Sequence, residues 1–319
     1  MNYELDPELI DVMAALAERG AAGPAPARDD WKALREKAEA GQAFMAGLVP
    51  VSAGVERRQY LTRTSDGASV ELRWYTKDPT RTEPLGPTVV YSHGGGAVAG
   101  TLDLYDEVIS WYVGQTGVPF LSVGYRRAPD EGHSTMLAED VYSGLAWLID
   151  HAAELGVDPG RIAVMGDSGG GGPAAGAAIL ARERNVNLAR QILVYPMLDD
   201  RNQTADPDRA PFLTWTYDDN YTAWHAVLGD QFGTGDVSPV AAPARLTDFA
   251  GLAPAYLEVG DLDIFRDETI AYAARLATAG VPIELHVHPG APHGWERFAP
   301  KSDSAQRAMN DRARAISTF

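Results

Sequence analysis

The chain has 319 residues, with 27 Lys and Arg against 44 Asp and Glu, a formal net charge of −17 and no cysteine. That length suits one large α/β domain with an accessory element. The acid excess argues against nucleic acid, whose phosphates need clustered cations, and against anionic membrane surfaces, while the missing thiols exclude disulfides and cysteine-based metal or redox sites.

No run approaches the eighteen or so apolar residues that span a bilayer. The start, Met1 to Ile10, is acidic and lacks the basic and apolar regions of a signal peptide, so cytoplasmic residence is the default expectation. Pro7 to Arg19 carries Leu9, Ile10, Met13 and Leu16 at helical spacing. Gly20 to Pro26 breaks that pattern, and Asp29 or Asp30 is placed to cap a second helix through Gln42. Both helices precede any strand and read as an appendage packed on the main domain.

Gln59–Thr64 and Val70–Tyr75 alternate around Ser65-Asp66-Gly67, which predicts a hairpin. Apolar runs then recur, each followed by a helical pattern: Thr88–Tyr91, Phe120–Val123, Ile162–Met165, Gln191–Tyr195, Ala255–Val259 and Ile283–Val287. The rhythm predicts βαβ units and a mostly parallel sheet with helices on both faces. Ligands of such sheets sit beyond the carboxyl ends of the strands, so the loops that follow each strand are where function is sought. One interval, Asp199 to about Asp236, has no strand signal and concentrates Phe212, Trp215, Tyr217, Tyr221, Trp224 and Phe232. It reads as a helical insertion that packs its own aromatics and also as a lid over the strand ends.

After the first parallel strand comes His93-Gly94-Gly95-Gly96, where three glycines let backbone N–H groups approach a ligand closely. His93 is expected to order this loop rather than to transfer protons. After the strand at Ile162 comes Gly166-Asp167-Ser168-Gly169-Gly170, which fits G-x-S-x-G. In that motif the serine sits on a strained strand-to-helix turn, and the following helix points free N–H groups at developing negative charge. A rival reading takes Gly169 to Ala174 as a dinucleotide loop with Asp199 closing the next strand. A plain glycine-rich turn is the third.

After the strand at Ala255, the carboxylates Asp261, Asp263, Asp267 and Glu268 compete to orient an imidazole. Asp267 and Glu268 suit a helix's first turn for dipole reasons alone, and spacing does not separate Asp261 from Asp263. After the last strand, His293 stands in a loop next to Gly294, while His286 and His288 alternate onto the strand's second face or surface. Serine, acid and histidine then follow one another along the chain, each on a strand-end loop, the α/β-hydrolase order.

With these residues the chain resembles the hormone-sensitive-lipase-like carboxylesterases, bacterial family IV of the α/β-hydrolases. The likeness runs from the hairpin to the C-terminus through His93–Gly96, Tyr125-Arg126-Arg127-Ala128-Pro129-Asp130, Gly166–Gly170, Ser238-Pro239, Asp263–Glu268 and His293-Gly294. It implies a triad of Ser168, Asp263 and His293 and an oxyanion hole of Gly95, Gly96 and Gly169. It implies further a cap built from residues 1–48 and 199–236 on a core of 49–198 and 237–319. Three positions depart from the family pattern: Gly169 for alanine, expected to loosen the turn, Arg127 for leucine, and Ile264 for proline. The implied activity is serine carboxylesterase, acting on short to medium acyl esters through an acyl-enzyme. An amidase or acyltransferase would use the same groups, and a non-catalytic receptor is disfavoured by the presence of His293. The implied partner is a small-molecule ester, with no metal or organic cofactor, no nucleic acid and no membrane. A homodimer is among the oligomeric states such enzymes adopt.

Overall fold

The computed structural model describes residues 3–20, 25–78 and 85–319. The first element is a 3-10 turn at Pro7–Leu9 that runs into α1 (Ile10–Gly20). Part of the expected break from Gly20 to Pro26 lies outside the described residues. α2 (Trp31–Ala46) starts where Asp30 accepts a hydrogen bond from the Ala33 amide, so Asp30 is the cap and the helix continues past Gln42.

β1 (Glu56–Arg63) and β2 (Ser69–Thr76) form the hairpin, paired from Glu56–Thr76 to Arg63–Ser69. The alternating segment then follows: β3 (Gly86–Ser92), α3 (Leu102–Thr116), β4 (Phe120–Gly124), α4 (Met136–Asp150), α5 (Ala152–Leu155), β5 (Val157–Asp167), α6 (Gly171–Glu183) and β6 (Arg190–Val194). A long insertion carries α7 (Tyr217–Leu228). β7 (Ala255–Gly260), α8 (Arg266–Thr278), β8 (Ile283–His288), α9 (Trp295–Phe298) and α10 (Asp303–Ser317) complete the chain.

The eight strands form one sheet in the order β1-β2-β4-β3-β5-β6-β7-β8. β2 runs antiparallel to β1 and β4, and all later pairings are parallel. Period-two alternation sorts each central strand onto two cores. Val90 and Val164 pack with Leu145 of α4 and Ala177 of α6. Val89, Tyr91, Ala163 and Met165 pack with Ile109 of α3 and Ala308 of α10 on the other face. Both faces are therefore covered, as a parallel sheet requires.

The N-terminal helices and the insertion meet over the strand ends. The Asp29 amide donates to Thr222 Oγ1 at 3.1 Å, Lys37 pairs with Asp219 at 2.9 Å and Arg28 with Asp218 at 2.6 Å. Of the insertion's aromatics, Trp215, Tyr217 and Trp224 join the α4–α6 core. His288 is buried against Trp295, whereas His286 is half-buried and pairs with Glu284 on the edge strand. Among the described residues no helix is long and apolar enough to cross a membrane.

Candidate active site

β5 ends at Asp167, and the chain turns through Ser168–Gly170 directly into α6. Ser168 has φ 53°, left-handed backbone that a non-glycine residue adopts only under constraint. The constraint is close backbone packing. A Cβ on Gly166 would stand 2.3 Å from the Gly170 carbonyl oxygen, and one on Gly170 would stand 2.2 Å from that of Ser92. Ser92 Oγ donates to the Gly170 carbonyl at 2.7 Å and ties the turn to β3.

His293, on the loop after β8, brings Nε2 to 2.8 Å from Ser168 Oγ. Its Nδ1 lies 2.6 Å from Asp263 Oδ2. Asp263 is fully buried, and its other oxygen accepts the Phe265 amide at 2.9 Å, which fixes the plane of the carboxylate. These partners assign the proton to Nδ1 and leave Nε2 free to accept from the serine. The edges of Tyr195 and Phe265 flank the imidazole, with ring centroids 4.6 and 5.3 Å away. From the insertion, Thr214 Oγ1 donates to the His293 carbonyl at 2.7 Å.

Asp261, which spacing alone left equal to Asp263, turns elsewhere. Its Oδ1 accepts the Gly290 amide at 2.7 Å, so it shapes the histidine loop, and burial pushes its carboxyl above the usual range. Asp267 pairs with Arg266 and Arg209. Glu268 is buried and accepts the amides of Leu198 and Asp199 at 2.6 and 3.1 Å. Ile264, at the proline position of the resembled family, is buried, and its carbonyl accepts from Asn202 Nδ2 at 2.8 Å. Arg127, at the leucine position, pairs with Glu131 and Glu39.

The glycine loop after β3 lies beside the serine turn, with Gly95 at φ 121° and Gly96 at φ 61°. Among the described residues the amides of Gly95 and Gly96 donate to no protein acceptor, so both are available to an anion. His93 orders the loop: Tyr125 stacks on its ring at 4.6 Å and donates to its carbonyl at 2.7 Å. Burial pushes the His93 imidazole down, which keeps it neutral. Sequence reasoning missed the anchor of this loop. Asp167, the variable residue of G-x-S-x-G, accepts the Gly94 amide at 3.1 Å and the Tyr105 hydroxyl at 3.1 Å, with Tyr91 as a further donor. Gln42 of α2 donates to the Gly94 carbonyl at 3.3 Å.

The looser turn expected at Gly169 is not what is seen. A Cβ there would stand 2.3 Å from the Ala97 amide nitrogen and 2.4 Å from that of Gly96, so the loop has closed into the space that alanine would fill. The dinucleotide reading also meets contrary packing. The glycines from 169 to 172 all abut protein atoms closer than a Cβ allows, and Asp199 is bound by Arg201. These glycines are consumed by chain crossing and leave no cradle for a pyrophosphate.

An apolar cavity of about 20 Å³ adjoins Gly169, lined by Ala97, Leu137, Pro173, Met197 and Trp224 among others. A wider cavity of about 460 Å³, between Arg28, Arg201, Arg245, Tyr221 and Phe232, is lined by none of the triad candidates. One group with metal-ligand chemistry, Glu284, His286 and Asp311, lies on the edge strand and α10, where Arg314 pairs with both carboxylates.

Residues 89–297 match a family model described as the α/β hydrolase fold. The chain is 37% identical over 220 residues to carboxylesterase NlhH of Mycobacterium tuberculosis, covering 67% of each chain. It is 31% identical over 288 residues to an ethyl acetate hydrolase of Pseudomonas putida, covering 86% of each. Among solved structures it is similar to a bacterial heroin esterase, with a TM-score of 0.85, 35% identity and 98% and 97% of the two chains covered. It is also similar to esterase LipW of Mycobacterium marinum, with a TM-score of 0.80, 30% identity and 98% and 95% covered.

Proposed function

The chain belongs to the α/β-hydrolase family, in its hormone-sensitive-lipase-like carboxylesterase branch, and from that premise we propose how its residues carry out ester hydrolysis. The chain is a carboxylic ester hydrolase. Ser168 is the nucleophile, His293 the general base and then the general acid, and Asp263 the group that holds the imidazole in its Nδ1–H tautomer. The observation that carries this reading is the unbroken hydrogen-bonded line from Ser168 through His293 to Asp263.

Ser168 attacks the ester carbonyl carbon as its proton passes to His293 Nε2. The carbonyl oxygen becomes an oxyanion, which the amides of Gly95, Gly96 and Gly169 receive. Each such donor contributes on the order of 3 kcal/mol to the transition state in comparable sites. His293 then protonates the leaving alcohol, and the acyl group stays on Ser168 Oγ. Water repeats the sequence on the acyl-enzyme and releases the carboxylic acid. The groups over the strand ends, residues 1–48 and 199–236, act as the cap, and Thr214 and Trp215 supply its contacts to the machinery. The apolar wall beside Gly169 is where the acyl chain would lie, and the small space there, about 20 Å³, favours short chains.

Ser168→Ala is expected to fold with an unchanged Tm and to lose about five orders of magnitude in kcat on p-nitrophenyl acetate. Appreciable turnover in that variant sinks the nucleophile assignment. Across p-nitrophenyl esters of rising chain length, kcat/KM should peak at about two to four carbons. A maximum at long chains removes the cavity as the acyl site.

A further inference from the structure

Arg209, in the insertion, is 2% exposed and reaches the loop that carries the acid. Its Nη1 donates to the backbone carbonyl of Asp263 at 3.1 Å. Its Nη2 lies 3.3 Å from Asp267 Oδ2, 3.5 Å from Asp206 Oδ2 and 3.3 Å from the Tyr3 hydroxyl. The Tyr3 ring covers the guanidinium at 5.5 Å and also faces Arg266. Arg209 Nε has no partner among the described residues.

We propose that Arg209 is a positioning residue for the reaction: it fixes the Asp263 backbone and sets a buried positive charge behind the Asp263–His293 pair. The proposal rests on the triad assignment above. Burying a guanidinium is costly unless several partners hold it, and a neutral donor would suffice to bond one carbonyl. Asp206 and Asp267 hold the guanidinium from one side, and from there it reaches the Asp263 backbone on the other.

The groups facing Arg209 set the sign of the effect. Tyr3 comes from the N-terminal segment, Asp206 and Tyr217 from the insertion, Arg266 and Asp267 from α8, and Asp261 and Asp263 from the acid loop. Its two carboxylate partners are open to solvent, with side-chain exposures of 31% for Asp206 and 66% for Asp267. Water weakens their charges without cancelling them, whereas the side facing Asp263 is dry, so the guanidinium outweighs them there and each anion still offsets part of its field. A cation near the imidazole disfavours its second proton.

The test reads the acid limb of kcat/KM, which reports the free enzyme's essential base. Arg209→Met should move that limb to higher pH by about half a unit or more, and lower the plateau about tenfold. Arg209→Lys keeps the charge and should hold the limb near the wild-type position. Asp267→Asn, at an exposed position that tolerates change, strips a neighbouring anion and should move the limb the opposite way, to lower pH. A purely structural tether would not produce shifts of opposite sign. A limb unmoved by Asp267→Asn overturns the proposal even where Arg209→Met does not fold. Asp263→Asn in the same series separates the two readings. A rate that survives it sinks the triad and this proposal together, whereas a rate lost there with an unmoved limb sinks this proposal alone.

Discussion

Gly169 stands where the resembled family carries alanine, and the structure gives the exchange a cost. The would-be Cβ points between the amide nitrogens of Gly96 and Ala97, at 2.4 and 2.3 Å, distances that no real side chain tolerates against backbone. On Gly96 the corresponding direction is filled by the Trp215 ring, 2.5 Å from a built Cβ. The loop is thus confined by the nucleophile turn and by the insertion, and it cannot move away from a new methyl group without moving Trp215. Gly169→Ala is therefore expected to displace the Gly96 amide and lower kcat by about a hundredfold, the size of losing one oxyanion donor, with KM little changed. A variant with wild-type kcat would mean that the loop shifts freely. Ser168 and His293 were legible as candidates because each stands on a short loop with its own signature, whereas Asp263 was set apart from Asp261 only by the family resemblance. Asp167 was not legible, because the motif treats its position as variable and nothing local shows that Gly94, 73 residues away, donates to it.

At the scale of elements, the apolar runs located every parallel strand but not its ends. β5 begins at Val157, well before the run at Ile162, because Val157 pairs with Gly86 across an irregularity, and the residues between, 158–161, carry no apolar run and are mostly exposed. α2 continues to Ala46 because Met45 packs on the core of the opposite sheet face, a tertiary reason that periodicity does not carry. The start of α8 shows the same limit. Glu268 reads as a first-turn acid placed for the helix dipole, yet it is buried and holds the first residues of the insertion through Leu198, Asp199 and Asn202. Burial pushes its carboxyl well above the usual carboxylate range, against the pull of those donors. A group raised on folding favours the protonated folded state, so its contribution is present at low pH and is lost as pH rises through the raised value. Glu268→Gln cannot ionise and should lose less Tm than wild type between pH 5 and pH 8, by about 3 °C. Equal slopes in the two proteins would show that Glu268 is ionised throughout.

Across the whole molecule, the C-terminal helix is locked to the catalytic end by buried charges far apart in sequence. Arg312 of α10 binds Glu258 of β7 through Nε and Glu296 of α9 through Nη1 at 2.8 Å, and all three are at most 3% exposed. Glu296 in turn accepts the Tyr195 hydroxyl at 2.6 Å, and the Tyr195 ring lies against His293. None of this was legible, since an arginine in a polar helix reads as solvated until the sheet is assembled beneath it. Removing one member of such a cluster leaves the others charged in a dry site, which typically costs 3–5 kcal/mol. Arg312→Met should therefore lower Tm by roughly 10 °C at neutral pH. The deficit should depend on pH in a fixed direction. Although burial opposes it, Arg312 with its neighbours holds the Glu258 carboxyl below the usual range, so wild type keeps this stability above that range and loses it as pH falls. In Arg312→Met the carboxyl is free to take a proton, and the Tm deficit should be smaller at pH 5 than at pH 8. Adding Glu258→Gln should recover part of the loss at pH 8 and little at pH 5. A deficit that grows toward acid, or a double variant no better than the single one at pH 8, would mean that lost packing rather than an uncompensated charge sets the cost.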